Sequence, residues 1–199
     1  MAHTLTSSSS SQSSSQKVFC IGMIMPLTKE NNADFFLRSI EALTSLGFQV
    51  FALAEGDETS QKASFDLLQK NKGFTLLEST ALNRKKILQN ADVFVFPAQP
   101  SRSDLEYVIK NKMVTVLPEG AGLENFDAQN ETGEAFTFSS NSFWHFLSAV
   151  IRASENYKFP YDWKTIQTHL SETKLALSGA FFIFFYNAPS FCTRGWRNW

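Results

Sequence analysis

Between Val18 and Leu117, short apolar runs alternate with amphipathic stretches about five times, and only brief connections separate them. The runs are Val18 to Ile24, Gln49 to Ala54, Phe74 to Leu77, Asp92 to Phe96 and Met113 to Leu117. Each is too short for a helix and is mostly apolar, with β-branched or aromatic residues, the pattern of a strand buried on both faces. The stretches between them read as helices over Asn32 to Leu46, Glu58 to Lys72, Leu82 to Gln89 and Ser103 to Lys110. In the first, Phe35, Phe36, Ile40, Leu43 and Leu46 share one face, and Gly47 supplies the stop. Strands joined through helices are parallel neighbours, because a hairpin cannot connect them. Right-handed crossovers then give an α/β, Rossmann-like, doubly wound sheet with helices on both faces. Ala135 to Phe138 adds a strand at the sheet edge. Two C-terminal helices follow, Ser142 to Tyr157 and Tyr161 to Glu172, separated at Pro160. No internal repeat is present.

The expected organisation is a tail over 1–16, one domain over 17–173 and an aromatic-rich tail over 174–199. The first 16 residues are serine-rich and lack any acidic residue, so they cannot bury a core. A flexible tail and a plastid-type transit peptide both fit, although the segment is short and has no arginine. Near the other end, Ala180 to Tyr186 places five aromatic residues in seven positions without charge. It reads as a strand or helix packed on the domain, as a disordered segment, or as a partner-binding or membrane-surface segment. Net charge is −1, from 18 basic and 19 acidic residues, and no basic stripe stands out, so no nucleic-acid partner is expected. The longest apolar run, Leu175 to Tyr186, is too short to span a bilayer, so no membrane span is expected. Cys20 and Cys192 have no metal-ligand spacing and make no disulfide framework, which points to a reducing, cytoplasmic setting with a plastid as the alternative.

Ligands of open parallel sheets bind at the carboxyl ends of the strands. The loops to inspect are therefore Met25 to Asn31, Glu55 to Asp57, Thr80 to Asn83, Pro97 to Asp104 and Pro118 to Leu123. Gly120-Ala121-Gly122 is the best phosphate cradle, because two glycines let backbone N–H groups approach an anion closely; a tight turn is the plain alternative. Gly56 and Asp57 follow a strand and also form an everyday turn pair. Glu106 sits early in a helix, where a carboxylate can accept a hydrogen bond from a ribose or sugar, or simply face solvent. His3, His145 and His169 have no nucleophile or carboxylate at a recognisable spacing, so no catalytic residue, metal or cofactor is expected.

The ordered motifs from about Val18 to Glu172 resemble the C-terminal half of two-domain, GT-B-type glycosyltransferases, above all the bacterial starch and glycogen synthases. Ala91-Asp92-Val93-Phe94-Val95-Phe96-Pro97 is similar to the family's A-D-x-F-x-x-P-S, and Val116 to Leu123 to its strand followed by T-G-G-L. Asn130-Glu131-Thr132-Gly133 with Phe136 and Phe138 is similar to N-x-T-G-x-x-F-x-F. Thr28, Asp34, Gly56 and Asp57 also fall where that family has similar residues, and Tyr157 to Gln167 with Trp163 resembles its final helix pair. The resemblance implies a donor-binding domain for a nucleotide-sugar, ADP-glucose or UDP-glucose, held by Gly56, Asp57, Glu106, Gly120, Ala121 and Gly122. It also implies a separate acceptor-binding domain as partner.

The departures from the family bear on activity. Where the family has an arginine and, five residues later, a lysine against the donor diphosphate, this chain has Pro26 and Asn31. Of the family's two glutamates after A-D-x-F-x-x-P, Glu106 stands for the second, and the shortened loop Ala98 to Ser103 has none for the first. Each lost charged group costs about 10²- to 10³-fold in rate where charge develops on a leaving group. Sugar transfer by this chain alone is therefore not expected; the alternative is a non-catalytic module that binds a nucleotide, a sugar or a protein.

Overall fold

A computed structural model describes residues 18–27, 33–56, 62, 66, 71–139 and 142–183. Six strands form one parallel sheet: β1 (Cys20–Leu27), β2 (Gln49–Gly56), β3 (Phe74–Leu77), β4 (Val93–Val95), β5 (Thr115–Pro118) and β6 (Phe136–Phe138). Their order across the sheet is β3-β2-β1-β4-β5-β6. The chain thus winds outward from β1 to β3, returns past it to β4, and winds outward again. That reversal makes the gap between β1 and β4 the topological switch point, where such sheets open a crevice for ligands.

The helices are α1 (Ala33–Ser45), α2 (Ala81–Asn90), α3 (Arg102–Lys110), α4 (Phe143–Asn156) and α5 (Pro160–Ile183). Along α1, Phe36, Ile40 and Leu43 are fully buried. Leu46, expected on the same face, lies one residue past the helix and is exposed, because the chain turns there through hydrogen bonds from Gly47 N to Thr44 O and from Phe48 N to Leu43 O. The helix expected over Glu58 to Lys72 falls mostly outside the described residues. Lys62 and Asp66 within it are helical, whereas Asn71 and Lys72 already belong to the turn before β3.

Of the boundaries that differ from expectation, three change what is strand, loop or helix around the candidate site and the C-terminal segment. β1 does not end before Met25 but continues through Pro26, which pairs with Glu55 of β2. The partnership with β4 stops at Met23, so beyond it β1 is hydrogen-bonded to β2 alone, and a strand with one open side tolerates a proline. β2 likewise runs on to Gly56, so Glu55 and Gly56 are strand rather than loop. The last helix does not stop at Glu172 but runs from Pro160 to Ile183, carrying Ala180 to Ile183 of the aromatic segment as helix; residues 184–199 lie outside the described set.

The core follows the strands. Ile21 and Met23 of β1, Val93 to Val95 of β4, and Val116 and Leu117 of β5 are buried. α4 covers the β6 side with Phe146, Ala149, Val150 and Ala153. Trp163 of α5 stacks on Phe136 at 6.4 Å and meets Tyr157 edge-on at 5.1 Å. Asp92, the aspartate of the A-D-x-F run, works at the amino end of the sheet. Its carboxylate accepts from Cys20 N at 3.0 Å and from the Tyr157 hydroxyl at 2.6 Å, tying β1, β4 and the turn after α4 together. Hydrogen bonds to a charged group contribute about 1.5–3 kcal/mol each, so this motif residue is a structural clamp remote from the ligand end.

Candidate functional site

The carboxyl ends of β1 and β4 flank the switch point, and the connections that follow them set what a ligand would meet. Residues 96–101 lead from β4 into α3, whose cap is Ser101: its hydroxyl accepts from Asp104 N at 3.2 Å and donates to Asp104 Oδ2 at 2.6 Å. The same Asp104 pairs with Arg84 in the first turn of α2, which locks the starts of α2 and α3 side by side. Gln99 reaches the neighbouring loop, donating from Nε2 to Glu119 O at 2.9 Å. Glu119 N in turn donates to Phe138 O at 2.9 Å, so the loops after β4, β5 and β6 are stitched into one rim.

The glycine loop lies on this rim. Gly120 has φ +81° and Gly122 φ +95°, the left-handed region that other residues enter only at a cost of about 1–2 kcal/mol. A Cβ built on either would meet nothing within 4 Å. Their conformation, not crowding, requires glycine, and the space over the loop is open. Ala121 between them is half-buried, packs on the core and closes the turn through N to Pro118 O at 3.4 Å.

The other expected site residues fall into place unequally. Gly56 ends β2, paired with Leu27, on the far side of β1 from the glycine loop; three strand spacings, about 14 Å, separate β2 from β5. Asp57 lies outside the described residues, as do Thr28 and Asn31. Glu106 is exposed on α3, and its carboxylate accepts from Arg102 Nε at 2.9 Å across one helical turn. An exposed pair of this kind is worth little, so Glu106 stays available to a hydroxyl-bearing ligand. His145 is exposed and His169 Nδ1 lies 2.9 Å from Gly133 O; neither approaches a nucleophile among the described contacts. Among the described residues no group of three His, Cys, Asp or Glu could hold a metal, and no helix is long and apolar enough to cross a membrane.

The connection from β5 to β6 carries Glu119, Glu124, Asp127, Glu131 and Glu134 without one lysine or arginine. Glu119 lies on the rim, whereas Glu131 and Glu134 lead into β6 at the amino end of the sheet, where Glu131 accepts from the Tyr161 hydroxyl at 3.2 Å. Asp104 already occupies the positive end of α3, and Arg84 is engaged with it. The Asn130-Glu131-Thr132-Gly133 segment is a structural turn. Asp127 and Thr132 pair back to back, Asn130 Nδ2 donates to Asp127 Oδ2 at 2.7 Å, and Gln129 N donates to Asp127 Oδ1 at 2.9 Å. These hydrogen bonds, that from the Asn130 side chain foremost, hold the Asp127 carboxyl below the usual carboxylate range.

Sequence reasoning reached the glycine loop through its position after a strand. It missed Arg84, Gln99 and Asp104, which build the rim. Ser101-x-x-Asp104 is a legible capping signature, whereas the Arg84 and Gln99 contacts join residues twenty positions apart and leave no local signal.

No family model matches the chain. It is 22% identical over 146 residues to the glycogen synthase of Hydrogenobaculum sp. (strain Y04AAS1), an alignment covering 69% of this chain and 30% of that protein. The chain spans about a third of the length of the curated relatives it matches. Among solved structures, the catalytic domain of Arabidopsis thaliana starch synthase IV, bound to ADP and acarbose, superposes with a TM-score of 0.67 at 16% identity, over 84% of this chain and 38% of that one. The C-terminal domain of the group 1 family glycosyltransferase LpcC from Francisella tularensis gives 0.58 at 15% identity, over 79% of this chain and 86% of that one.

Proposed function

We propose that this chain, a glycosyltransferase-like domain of the starch- and glycogen-synthase type, holds a nucleotide-sugar weakly at the carboxyl ends of β1, β4 and β5 and does not transfer the sugar unaided. The ligand is ADP-glucose or UDP-glucose, the acceptor is a glucan, and the acceptor-binding half is supplied by sequence outside these residues. The single observation that carries donor binding is the open Gly120-Ala121-Gly122 turn, whose two left-handed glycines leave space above them at the ligand end of the sheet. Glu106 lies on the same end and accepts from the ribose or sugar hydroxyls.

Weak binding without turnover follows from charge. A departing diphosphate needs cations placed where its charge develops, and each missing one costs about 10²- to 10³-fold. Position 26 is a proline near the end of β1 and position 31 an asparagine, so neither supplies a cation. Those missing cations favour one second reading, a non-catalytic module that binds a nucleotide, a sugar or a protein. The protein works in the cytoplasm.

Restoring charge tests the proposal. The double variant Pro26→Arg, Asn31→Lys is expected to bind ADP-glucose or UDP-glucose at least about tenfold more tightly than the parent, while the parent shows no sugar transfer to glycogen. An unchanged affinity would remove the assigned diphosphate position.

A further inference from the structure

The amino end of the sheet, opposite the glycine loop, carries a hollow of about 710 Å³. Phe19 before β1, Phe48 before β2 and Tyr157 after α4 line it as one aromatic cluster, Phe19 meeting Phe48 at 5.7 Å and Tyr157 at 5.2 Å. The Tyr157 hydroxyl is fixed on Asp92, which makes these rings a rigid floor. Val18, Leu46 and Ile151 line the same hollow and are 48%, 52% and 39% exposed. Lys158 lines it too, and just beyond it in the chain Phe159 and Tyr161 are 58% and 66% exposed. Five of the seven large apolar side chains exposed among the described residues thus gather at this end. The other two, Leu82 and Trp144, stand in the first turns of α2 and α4 at the carboxyl end.

The chemistry of the hollow selects its occupant. Ser154 Oγ donates to Ile151 O at 2.8 Å, and Lys158 Nζ lies 2.7 and 2.8 Å from the two carboxylate oxygens of Glu155. A small-molecule site orients its ligand with a few placed polar groups, and these are already committed within the chain. A gathering of exposed apolar side chains with polar neighbours marks a protein contact instead. An acceptor-binding half must meet the donor at the carboxyl ends of the strands, so it leaves this end open. The patch is complementary to itself, because it holds both an apolar hole and, beside it, a protruding ring, Phe159. A two-fold interface brings one patch against its own copy, so each Phe159 meets the other hollow. The charges agree: Glu155 and Lys158 form an exposed, balanced pair, and across a two-fold axis each faces its opposite rather than its like.

We infer that this chain forms a two-fold dimer through the amino end of its sheet, Phe159 of each copy entering the hollow that Val18, Leu46 and Ile151 line in the other. The two glycine loops then lie at the outer ends of the dimer, open to ligand. The inference uses the proposed function only for the side on which an acceptor-binding half must lie.

Sedimentation velocity of the full chain over a range of concentrations tests it. The parent is expected to show a concentration-dependent monomer–dimer equilibrium. Phe159→Ala should raise the dissociation constant about tenfold or more, and Ile151→Glu should leave only monomer. Both positions are solvent-exposed in the single chain, so both variants keep the fold, which their thermal unfolding verifies. Trp144→Ala, at the other end of the sheet, is expected to dimerise like the parent. A parent that stays monomeric at every concentration, or association that persists unchanged in Phe159→Ala and Ile151→Glu, overturns the dimer. Neither outcome depends on whether ADP-glucose binds, because the hollow and the glycine loop lie at opposite ends of the sheet.

Discussion

Gly133 and Gly120 share a left-handed backbone, φ +85° and +81°, but not a neighbourhood. A Cβ on Gly133 would stand 2.3 Å from the Asn125 carbonyl oxygen, whereas one on Gly120 would meet nothing within 4 Å. Alanine at 133 therefore incurs the left-handed cost and forces the turn before β6 to move. Alanine at 120 incurs the left-handed cost alone, about 1–2 kcal/mol. Chemical denaturation of both variants checks this: Gly133→Ala is expected to lose clearly more stability than Gly120→Ala, and equal losses would mean the turn is not packed as described. The sequence shows both residues as glycines after polar residues and gives no hint which is structural. The N-x-T-G resemblance pointed to Gly133 as part of a family signature, and its role is to let one backbone pass another. Leu46 teaches the same lesson in reverse. Helical periodicity placed it on the buried face, but the turn at Gly47 begins one residue too early for it to get there.

At the scale of elements, the strands were legible because a parallel strand is a short, mostly apolar run; even β3, at the sheet edge with only Phe74 buried, matches its run residue for residue. Their ends were less so. The first run was read only to Ile24, with Pro26 in the loop after it, yet a strand bordered on one side accepts the proline. α5 continues past Glu172 because Leu175, Ala176 and Leu177 are strong helix formers and no proline intervenes before Ile183. The long connection between β5 and β6 is organised by Asp127, and its carboxyl is held below the ordinary range by the Asn130 side chain and Gln129 N–H. A carboxyl lowered in the folded state stabilises the fold above its unfolded pKa, and that contribution is lost as the pH falls through the lowered folded value. Thermal unfolding of the parent and Asp127→Asn across acid pH is the measurement. The parent's advantage is expected near neutrality and should vanish at the acid end; an advantage independent of pH would assign it to something other than the charged form.

Across the whole molecule, fold and function were not equally readable. The alternation of patterns implied a doubly wound parallel sheet, and the observed order β3-β2-β1-β4-β5-β6 has that form, shared with the solved starch synthase and LpcC structures. The candidate site was readable only where topology alone places it, at loops following strands. Its rim depends on Arg84–Asp104 and Gln99–Glu119, contacts that exist only once the sheet has brought distant residues together. The acidic run from Glu119 to Glu134 was visible in the sequence, but only the fold separates Glu119 on the rim from Glu131 and Glu134, which lead into β6 at the amino end of the sheet. What results is a Rossmann-like scaffold with an open glycine turn at the carboxyl end of its sheet, the place proposed for a donor diphosphate.

Calorimetric titration of the full chain with ADP, UDP, ADP-glucose and UDP-glucose, at low and at high ionic strength, tests this most directly. The expected result is weak saturable binding of one of them at both ionic strengths, abolished in a folded Gly120→Val variant. No heat with any of the four, or binding unaffected by Gly120→Val, would contradict a surviving donor site at the glycine loop.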